Sequence, residues 1–319
     1  MHSSEPMKVL VQLHTFNDEE VIDRSLAALL NQTYRVPEIL VVDNASTDGT
    51  LKRTFPDHVT IIRHPKNLGT SGTVATGFRY AIRHGYDLIW VLDADSIVCE
   101  DALEKLVTLY QSFPADVRRG IGVLSSRIVR SPNQPPDDYG LLTPRGPRPA
   151  KVDPRQIYYE CDSTIWSGSL FSLSAVREVG SPRFGTAGCW DDLSLDWGDI
   201  EFIYRIRRAG YRVLVHRHSI IRHALGWQRK TTLLGRTIYS TNHSAFRRYL
   251  YFRNGVYFWF YLYPRRRPTY IAFHLGASLM SQIAKILLME DDRWSKISAS
   301  LRGVRDGLRH RIHDMGMRE

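Results

Sequence analysis

The chain has 319 residues, which suits either one domain with a large appendage or two domains. Its 43% hydrophobic and 24% charged residues form an ordinary globular composition, which excludes neither an enzyme nor a binding protein. The net charge of +10 is uneven, because residues 202–289 contain no Asp or Glu. A face built from this stretch should attract polyanions, namely anionic lipid, nucleic acid or phosphorylated substrate.

The first half of the chain alternates strand patterns with helix patterns. Apolar runs predict strands at 8–13, 38–42, 59–63, 88–92 and 122–126, and periodicity and capping residues predict helices at 18–30, 73–84 and 102–110. This alternation favours an α/β fold with a doubly wound, mostly parallel sheet.

The second half is less regular. Residues 131–154 are rich in Pro and Gly and predict a long loop or lid, and residues 156–174 predict a strand pair. After Trp227 the pattern changes to aromatic and basic helices. We therefore predict an α/β domain over residues 1–230, followed by a basic, aromatic, helical C-terminal region over residues 231–319.

The cysteines and the start of the chain indicate the compartment. Cys99, Cys161 and Cys189 match no zinc spacing and no disulfide framework, so we expect a reducing environment. The start, MHSSEPMKVL, lacks the pattern of a secretory signal. Polar residues interrupt the apolar segment 270–289, which favours a buried or interfacial helix over a membrane span. We expect a cytoplasmic protein, free or peripheral at the inner face of the plasma membrane.

Two carboxylates, Asp93 and Asp95, follow the apolar run Leu88–Leu92. Ligands of open α/β sheets collect at the carboxyl ends of the strands. Two acids there repel each other unless a cation or a donor-rich ligand lies between them. A divalent cation that carries a diphosphate meets this need with oxygen ligands. Alone, the pattern is equally compatible with a turn of solvated aspartates.

Further motifs follow in a fixed order. They are His14-Thr-Phe-Asn17, Val41-Val-Asp-Asn-Ala-Ser-Thr-Asp-Gly-Thr50, Asn67-Leu-Gly69, Asp93-Ala-Asp95, Trp166-Ser-Gly-Ser169, Asp196-Trp-Gly-Asp-Ile-Glu-Phe-Ile-Tyr-Arg205 and Arg222-His-Ala-Leu-Gly226. Together they resemble an inverting family-2 glycosyltransferase of the GT-A fold over residues 8–226. The Asp-x-Glu-x-x-x-Arg form and the His-x-Leu-Gly ending are most similar to bacterial rhamnosyltransferases, and galactofuranosyltransferases share much of the pattern. Tyr251-Phe-Arg-Asn254 extends the resemblance into the C-terminal region.

The resemblance implies a nucleotide-binding role for residues at the strand ends. Asp43 would accept a hydrogen bond from a pyrimidine N–H, and Asn67 and Gly69 would let the backbone approach the nucleoside. A helix cap at Asp43 and an ordinary turn at 67–69 are the alternatives. The implied nucleotide-binding set is Thr15, Phe16, Asn17, Asp43, Asn67, Gly69 and Asp93.

The resemblance also implies a metal site. Asp95 would bind Mn²⁺ or Mg²⁺ directly, and His223 would help to bind the metal or the diphosphate, with His218 as the alternative. Such a metal offsets the charge of the departing diphosphate.

The acceptor hydroxyl needs a base, and a positioned carboxylate can take its proton. Asp199 lies six residues before Arg205, where the family carries its catalytic carboxylate. Asp196 and Glu201 are the main alternatives, and Asp191 and Asp192 also compete. Glu201 points elsewhere on a helix, because it is two residues further on, and would pair with a cation at the helix start.

The implied acceptor or sugar site contains aromatic and small residues besides these acids. Trp166 and Trp197 could stack on sugar, although Trp is equally common in cores. The set is Trp166, Ser167, Gly168, Trp197, Asp196 and Glu201. The chain departs from the commoner family pattern at His14, where a small residue or Pro is more usual, and this bears on the donor.

These motifs imply transfer of a sugar from a pyrimidine nucleotide-diphosphate donor, dTDP-rhamnose or a UDP-sugar. The acceptor would be a cell-envelope glycan or a polyprenyl-diphosphate-linked glycan. UDP-galactofuranose is the alternative donor, and a non-catalytic glycan- or nucleic-acid-binding protein is more remote. Nucleic acid is not an expected partner, because it would not explain acids at strand ends. A nicotinamide oxidoreductase would need Gly-x-Gly-x-x-Gly after the first strand, which is missing.

Interleaved aromatic and basic residues in 247–267 resemble a membrane-interface belt. The alternative is a helical appendage that packs on the domain with a solvated basic face.

Overall fold

The computed structural model describes residues 7–130, 136–137, 139–143, 146–150, 152–180, 196–223, 229–233, 236–263 and 268–309. In chain order the elements are β1 Val9–Thr15, α1 Ile22–Leu30, β2 Ile39–Asp43, β3 Val59–Arg63, α2 Gly69–Arg83, β4 Leu88–Asp93, β5 Ser96–Val98, α3 Ala102–Ser112, α4 Ala115–Arg119, β6 Ile121–Val129, β7 Gly140–Thr143, β8 Gly146–Pro149, β9 Tyr158–Cys161, β10 Ser169–Ser172, α5 Leu173–Val179, α6 Gly198–Arg208, β11 Arg212–His223, β12 Arg229–Leu233, β13 Arg236–Ser240, α7 Ala245–Tyr257, the π-helical turn Phe258–Leu262, α8 Pro268–Met289 and α9 Arg293–Leu308.

A mixed sheet runs through the centre of the fold in the order β3-β2-β1-β4-β10-β6-β11-β5, with β9 paired to β11. The strands β3, β2, β1 and β4 are parallel to one another, and β10 runs antiparallel between β4 and β6. In the register of β1, Thr15 lies opposite Asp43 and His14 lies opposite Asp93. The carboxyl ends of β1, β2 and β4 therefore meet at one edge of the sheet.

Each face of the sheet has its own core. Val11, Leu13 and Trp90 pack on one face with Leu26 of α1 and Leu103 of α3. The intervening residues of the same strands pack on the other face with α2, α5 and α6, through Leu10, Ile89, Val91, Phe78, Val176 and Phe202. Strands that are buried on both faces are apolar at most positions: β4 is an unbroken hydrophobic run up to Asp93, and β1 is interrupted only by the buried Gln12 and His14 before it ends at Thr15.

The predicted doubly wound sheet is confirmed, with local differences. Helix α1 begins at Ile22 because Asp18 is used in a turn, where its carboxylate accepts hydrogen bonds from Thr15 and Phe16. The predicted strand pair in 156–174 is wrong as a pair, because β9 bonds to β11 whereas β10 bonds to β4 and β6. The predicted loop 131–154 contains the two-stranded sheet of β7 and β8.

The chain forms two compact units. The first unit comprises Met1–Leu141, Pro149–Phe184 and Phe202–Ala224, and the second comprises Leu142–Arg148, Gly185–Glu201 and Leu225–Glu319. The division of the chain at residue 230 remains a prediction.

In the second unit, α7 packs closely against α9. A Cβ at Gly303 would lie 2.4 Å from the carbonyl oxygen of Tyr249, and one at Gly307 would lie 2.7 Å from that of Arg253. Glycine at both positions therefore lets the two backbones approach. The rings and the guanidinium of Phe252, Arg253, Tyr257 and Phe258 are buried, so this part of the aromatic and basic stretch is core. The predicted membrane-interface belt is wrong for these residues.

A buried carboxylate joins four elements of the second unit. Glu290, directly after α8, is ion-paired with Arg248 of α7 at 2.5 Å and with Lys296 of α9 at 3.2 Å. Ser240 of β13 also donates a hydrogen bond to Glu290. A buried charge is tolerated only when it is paired in this way. Among the described residues, no helix has the length and apolar character needed to cross a bilayer.

Gly168 joins β4 to β6 directly before β10. Its N–H donates to the carbonyl of Val91 at 2.9 Å, and its own carbonyl accepts from the N–H of Ser126 at 2.9 Å. Its φ is +82°, and a Cβ there would lie 2.7 Å from Cδ1 of Ile221. Position 168 therefore requires glycine for two reasons: its backbone has a positive φ, and there is no space for a side chain.

We predict that Gly168→Ala lowers the free energy of unfolding by about 2–4 kcal/mol, because strain and a clash add together. Gly85→Ala is the matched control: its φ is +70° and no atom lies within 4 Å of the new Cβ. That control should lose only about 1 kcal/mol. Denaturant unfolding measures both, and equal losses would contradict the assigned crowding.

Candidate active site

Three potential metal ligands lie together at the carboxyl edge of the sheet. Ligand atoms of Asp93, Asp95 and His223 all lie within 4.8 Å of one another. Asp93 ends β4, Asp95 lies in the turn before β5, and His223 ends β11. The antiparallel pairing of β5 with β11 places His223 opposite Ser96. Strand pairing therefore brings a residue that is distant in sequence to the two acids.

His223 is buried and faces both carboxylates. Its Nδ1 lies 3.0 Å from Oδ1 of Asp95 and 3.0 Å from Oγ of Ser96, and its Nε2 lies 3.4 Å from Oδ2 of Asp93. Burial acts to lower the pKa of His223, but the hydrogen bond to Asp95 and the charges of Asp93 and Asp95 outweigh it. The pKa of His223 therefore lies above its ordinary value of 6.5. The cluster attracts positive charge.

The donor set fits a divalent metal. Two carboxylates and one imidazole supply oxygen and nitrogen ligands of the kind that Mn²⁺ accepts, and the carboxylates alone suit Mg²⁺. His218, the alternative ligand, is exposed and does not belong to this group among the described residues.

Polar side chains fix the turn that carries the two acids. Nε2 of His14 bonds Oδ1 of Asp93, which is its neighbour in the sheet. Ser167 Oγ accepts a hydrogen bond from the N–H of Asp93 at 3.2 Å and lies 2.7 Å from Oγ of Ser96. Ser25 of α1 donates to the carbonyl of Ala94, the residue between the acids, at 2.5 Å. The acids are thus held from both sides.

These supporting contacts differ from the sequence expectations. Ser25 and Ser96 were not expected in the site, because a lone serine in a helix or a strand carries no pattern. Ser167 was expected on the acceptor side, yet its hydroxyl bonds the backbone of Asp93. His14, a departure from the usual motif, proves to be a partner of Asp93.

Asp43 ends β2 and is completely buried. Its two oxygens accept from the N–H of Ser46 at 3.3 and 3.2 Å, and Oδ2 lies 3.3 Å from Nε of Arg63. These contacts hold the turn after β2, and the helix-cap alternative is wrong because no helix begins in the described residues 44–58. A contact of Asp43 with a nucleotide base stays a prediction.

The loop after β1 is tied to the loop after β2. Thr15 Oγ1 and the N–H of Phe16 donate to Oδ2 of Asp18, each at 2.8 Å. Burial raises the pKa of Asp18 despite these two bonds, and the charge of Asp95 adds to the rise. Asn17 adopts φ +57° and its Oδ1 accepts from the N–H of Thr47 at 2.8 Å. The ring of Phe16 is 44% exposed, so it has a face available for stacking.

Asn67 and Gly69 form a turn at the start of α2. Oδ1 of Asn67 accepts from Nδ2 of Asn44 at 2.7 Å and from the N–H of Gly69 at 2.8 Å. Gly69 has φ +67°, which explains the glycine. These contacts are those of an ordinary turn, which was the alternative for residues 67–69. Binding of the nucleoside by Asn67 and Gly69 remains a prediction.

Trp166 belongs to the core. It is 5% exposed, and its ring centroid lies 6.4 Å from that of Phe78, 5.8 Å from that of Phe171 and 5.4 Å from that of Phe202. An aromatic cluster of this kind, edge-to-face with Phe78 and tilted with the other two rings, stabilises a core and leaves little ring surface for a sugar. Trp166 therefore takes the core alternative.

The predicted acceptor residues 196–201 lie in the second unit, at and before the start of α6. Asp196 pairs with Arg247 at 3.3 Å, and its carbonyl accepts from Nδ2 of Asn254 at 3.0 Å. Trp197, at φ +74°, packs on α7: a Cβ at Gly255 would lie 2.9 Å from its Cζ2. Both residues anchor the chain to α7.

The two remaining acids lie in the first turn of α6. Oδ1 of Asp199 accepts from the N–H of Ile200 at 2.8 Å, and the side chain is half-buried. Glu201 is 6% exposed. The base and acceptor roles of these acids stay predictions. Asp191, Asp192 and residues 224–226 of the last motif lie outside the described residues.

Comparison with known proteins gives a consistent family. Residues 11–180, more than half of the chain, match the family model of Glycosyl transferase family 2. Undecaprenyl-phosphate mannosyltransferase of Micrococcus luteus is 32% identical over 108 residues, 32% of this chain and 43% of that protein. Polyprenol monophosphomannose synthase of Mycolicibacterium smegmatis is 28% identical over 130 residues, 39% of this chain and 48% of that protein. The match spans less than half the length of each relative.

Two solved structures share the fold. TarS residues 1–349 of S. aureus gives a TM-score of 0.56 at 14% identity, over 96% of this chain and 82% of that one. The mannosyltransferase PcManGT of Pyrobaculum calidifontis, solved with GDP-Man and Mn²⁺, gives 0.55 at 17% identity, over 94% of this chain and 87% of that one. These likenesses confirm the predicted GT-A fold.

We predict that Mn²⁺ binding strengthens as pH rises through the raised pKa of His223, because the metal must displace a proton from the imidazole. His223→Asn should weaken binding by more than about tenfold and remove most of this pH dependence. Calorimetric titration in buffers of different protonation enthalpy measures both effects.

Asp95→Asn should weaken Mn²⁺ binding by a similar factor or more, because it removes a charged ligand. Asp57→Asn removes an exposed aspartate outside the cluster and is the matched control. Unchanged affinity in Asp95→Asn would show that Mn²⁺ binds elsewhere.

Proposed function

This chain belongs to glycosyl transferase family 2, and we propose that it transfers a sugar, with inversion, from a pyrimidine nucleotide-diphosphate donor to an envelope glycan. The acceptor glycan is free or linked to a polyprenyl lipid. The observation that carries this proposal is the group of Asp93, Asp95 and His223 at the carboxyl edge of a GT-A sheet.

Asp95 and His223 would hold the divalent cation, Mn²⁺ or Mg²⁺, and Asp93 would complete the site. When bound, such a cation supplies Lewis-acid stabilisation of the departing nucleoside diphosphate. The chain contributes rigidity: His14 fixes the carboxylate of Asp93, and Ser25 fixes the peptide carbonyl between the two acids. Ligands that are held before binding lose little freedom on binding.

Asp199 acts as the general base. The acceptor oxygen forms a bond to the anomeric carbon, the bond from that carbon to the diphosphate oxygen breaks, and the hydroxyl proton moves to the carboxylate of Asp199. Two competing acids are less suited to the role: Asp196 is ion-paired with Arg247, and the side chain of Glu201 is buried, whereas that of Asp199 is half-buried. The position of Asp199 six residues before Arg205 also supports this role.

The donor is dTDP-rhamnose or a UDP-sugar, with UDP-galactofuranose as the nearest alternative. Support for a pyrimidine comes from Asp43 at the end of β2, a carboxylate next to the edge that carries Asp93. The exposed ring of Phe16 is suited to stacking on the base.

A mannosyl donor is the second candidate. Two relatives are mannose-transferring enzymes by name, and the PcManGT structure contains GDP-Man. The same two relatives are named for undecaprenyl phosphate and polyprenol, which supports a lipid-linked acceptor.

We predict that UDP or dTDP raises the melting temperature more than GDP does, that Mn²⁺ increases the rise, and that Asp95→Ala abolishes the increase. Ligands that bind only the native state stabilise it in proportion to the logarithm of their concentration over Kd. Larger stabilisation by GDP would favour the mannosyl donor, and tight binding of NAD alone would refute the function.

We predict that Asp199→Asn keeps nucleotide binding but lowers transfer by at least about a hundredfold, because general base catalysis contributes on that scale. Asp116→Asn, in the first turn of α4, is the matched control for the same change at a helix start. Transfer is followed by release of the nucleoside diphosphate in the presence of acceptor. Undiminished turnover in Asp199→Asn would assign the base to another acid. If the wild type binds nucleotide but shows no turnover, a non-catalytic binding protein would be favoured.

A further inference from the structure

We infer that the exposed apolar and basic faces of α8 and α9 in the second unit dock on an anionic lipid bilayer. These two faces are called the α8–α9 surface below. The inference extends the proposed function, because a lipid-linked acceptor resides in such a bilayer. Docking itself requires neither donor nor transfer.

The outward face of α8 is apolar. Met280 is 65% exposed, Leu288 61% and Leu287 42%. The residues of α8 with exposed side chains within the described part 275–289 are Ala277, Met280, Ser281, Ala284, Leu287 and Leu288, and none is charged. Their spacing of three and four residues places them on one helix face. A solvent-facing helix normally carries charged residues there, so this face is suited to an apolar partner.

The outward face of α9 combines apolar and cationic residues. Trp294 is 78% exposed, Leu301 49% and Leu308 43%, and their seven-residue spacing keeps them on one face. Beside them on the helix lie the exposed side chains of Arg302 and Arg305. Trp and Leu beside Arg on one helix is the composition of helices that lie in a bilayer interface.

The two faces are close together at one end. Leu288 is in the last turn of α8 and Trp294 is in the first turn of α9. Six residues of chain reach at most about 20 Å, and α8 packs against α9. The apolar side chains at this end can therefore meet the same partner.

The charge of the second unit favours anionic lipid. In residues 229–309 the acids are confined to Glu290, Asp291, Asp292 and Asp306. Glu290 is buried between Arg248 and Lys296, and Asp306 bonds Arg305 at 2.9 Å and the hydroxyl of Tyr249 at 3.2 Å.

The turn between the helices contains the exposed acids Asp291 and Asp292, with Arg293 next to them. The remaining charged side chains along α9 are basic. A second copy of the chain would bring the same net charge of +10 to the contact and be repelled, whereas an anionic bilayer is attracted.

Vesicle flotation of the full chain tests the inference. We expect binding to vesicles of phosphatidylcholine with phosphatidylglycerol, weaker binding to phosphatidylcholine alone, and weakening by added salt. Leu288→Ser and Trp294→Ser should each weaken partition by about tenfold, because each removes a side chain that inserts. Arg302→Glu should weaken it by at least about fivefold, since one cation near such a surface contributes that factor.

The chain offers matched controls in the first unit. Ile157→Ser removes a 54% exposed apolar side chain, and Arg119→Glu reverses the charge of an exposed arginine of α4. Both should bind vesicles like the wild type. Thermal stabilisation by nucleotide and Mn²⁺ should be the same in all variants and shows that they are folded. If the proposed function is wrong, nucleotide and Mn²⁺ will not stabilise the protein, but the result of vesicle flotation is unaffected.

Three results would overturn the inference. The first is no flotation of the wild type with anionic vesicles. The second is wild-type flotation of the Leu288→Ser and Trp294→Ser variants. The third is a dimer in sedimentation velocity that Leu288→Ser converts to a monomer while vesicle binding is unchanged, which would assign the surface to a second copy.

Discussion

Repulsion between Asp93 and Asp95 is the constraint on which the rest of the site depends. Two carboxylates at one strand end repel each other unless a positively charged or hydrogen-bonding group lies beside them. The imidazole of His223 contacts both carboxylates, and the imidazole of His14 contacts Asp93. The sheet order supplies both partners, since β1 carries His14 and β11 carries His223. The same excess of negative charge that needs these partners is what makes the place suitable for a divalent cation.

The sequence predicts the parts of this protein that a local pattern specifies. Apolar runs located β1 to β4, because strands of a parallel sheet are mostly apolar, even where single polar residues such as Gln12 are buried in them. Pairing over long range has no such signature, so β9 and β10 were predicted as partners although each pairs with other strands. Position in a motif could not tell whether Trp166 faces a sugar or the core. Its burial among Phe78, Phe171 and Phe202 depends on the packing of three separate elements.

In the aromatic and basic C-terminal region too, the composition does not tell which residues are buried and which are exposed. Its composition predicts membrane contact, yet much of α7 is core, since Gly303 and Gly307 of α9 let that helix approach its backbone. Exposed apolar residues also lie on α8 and α9, besides Phe246 of α7 and Tyr261, and the periodicity of this exposure is visible only in three dimensions. The composition of the region thus predicts apolar and basic residues at a surface, and the packing of α7 and α9 determines which of these residues are exposed.

The contact between Ser96 and His223 spans 127 residues of chain. Closing so long a loop is slow relative to local pairing, because its entropy must be lost before the contact forms. A ribosome-bound chain that has not yet presented β11 lacks one of the three ligands. The three side chains that could hold a metal ion therefore come together only once β11, the last strand of the central sheet in chain order, is in place.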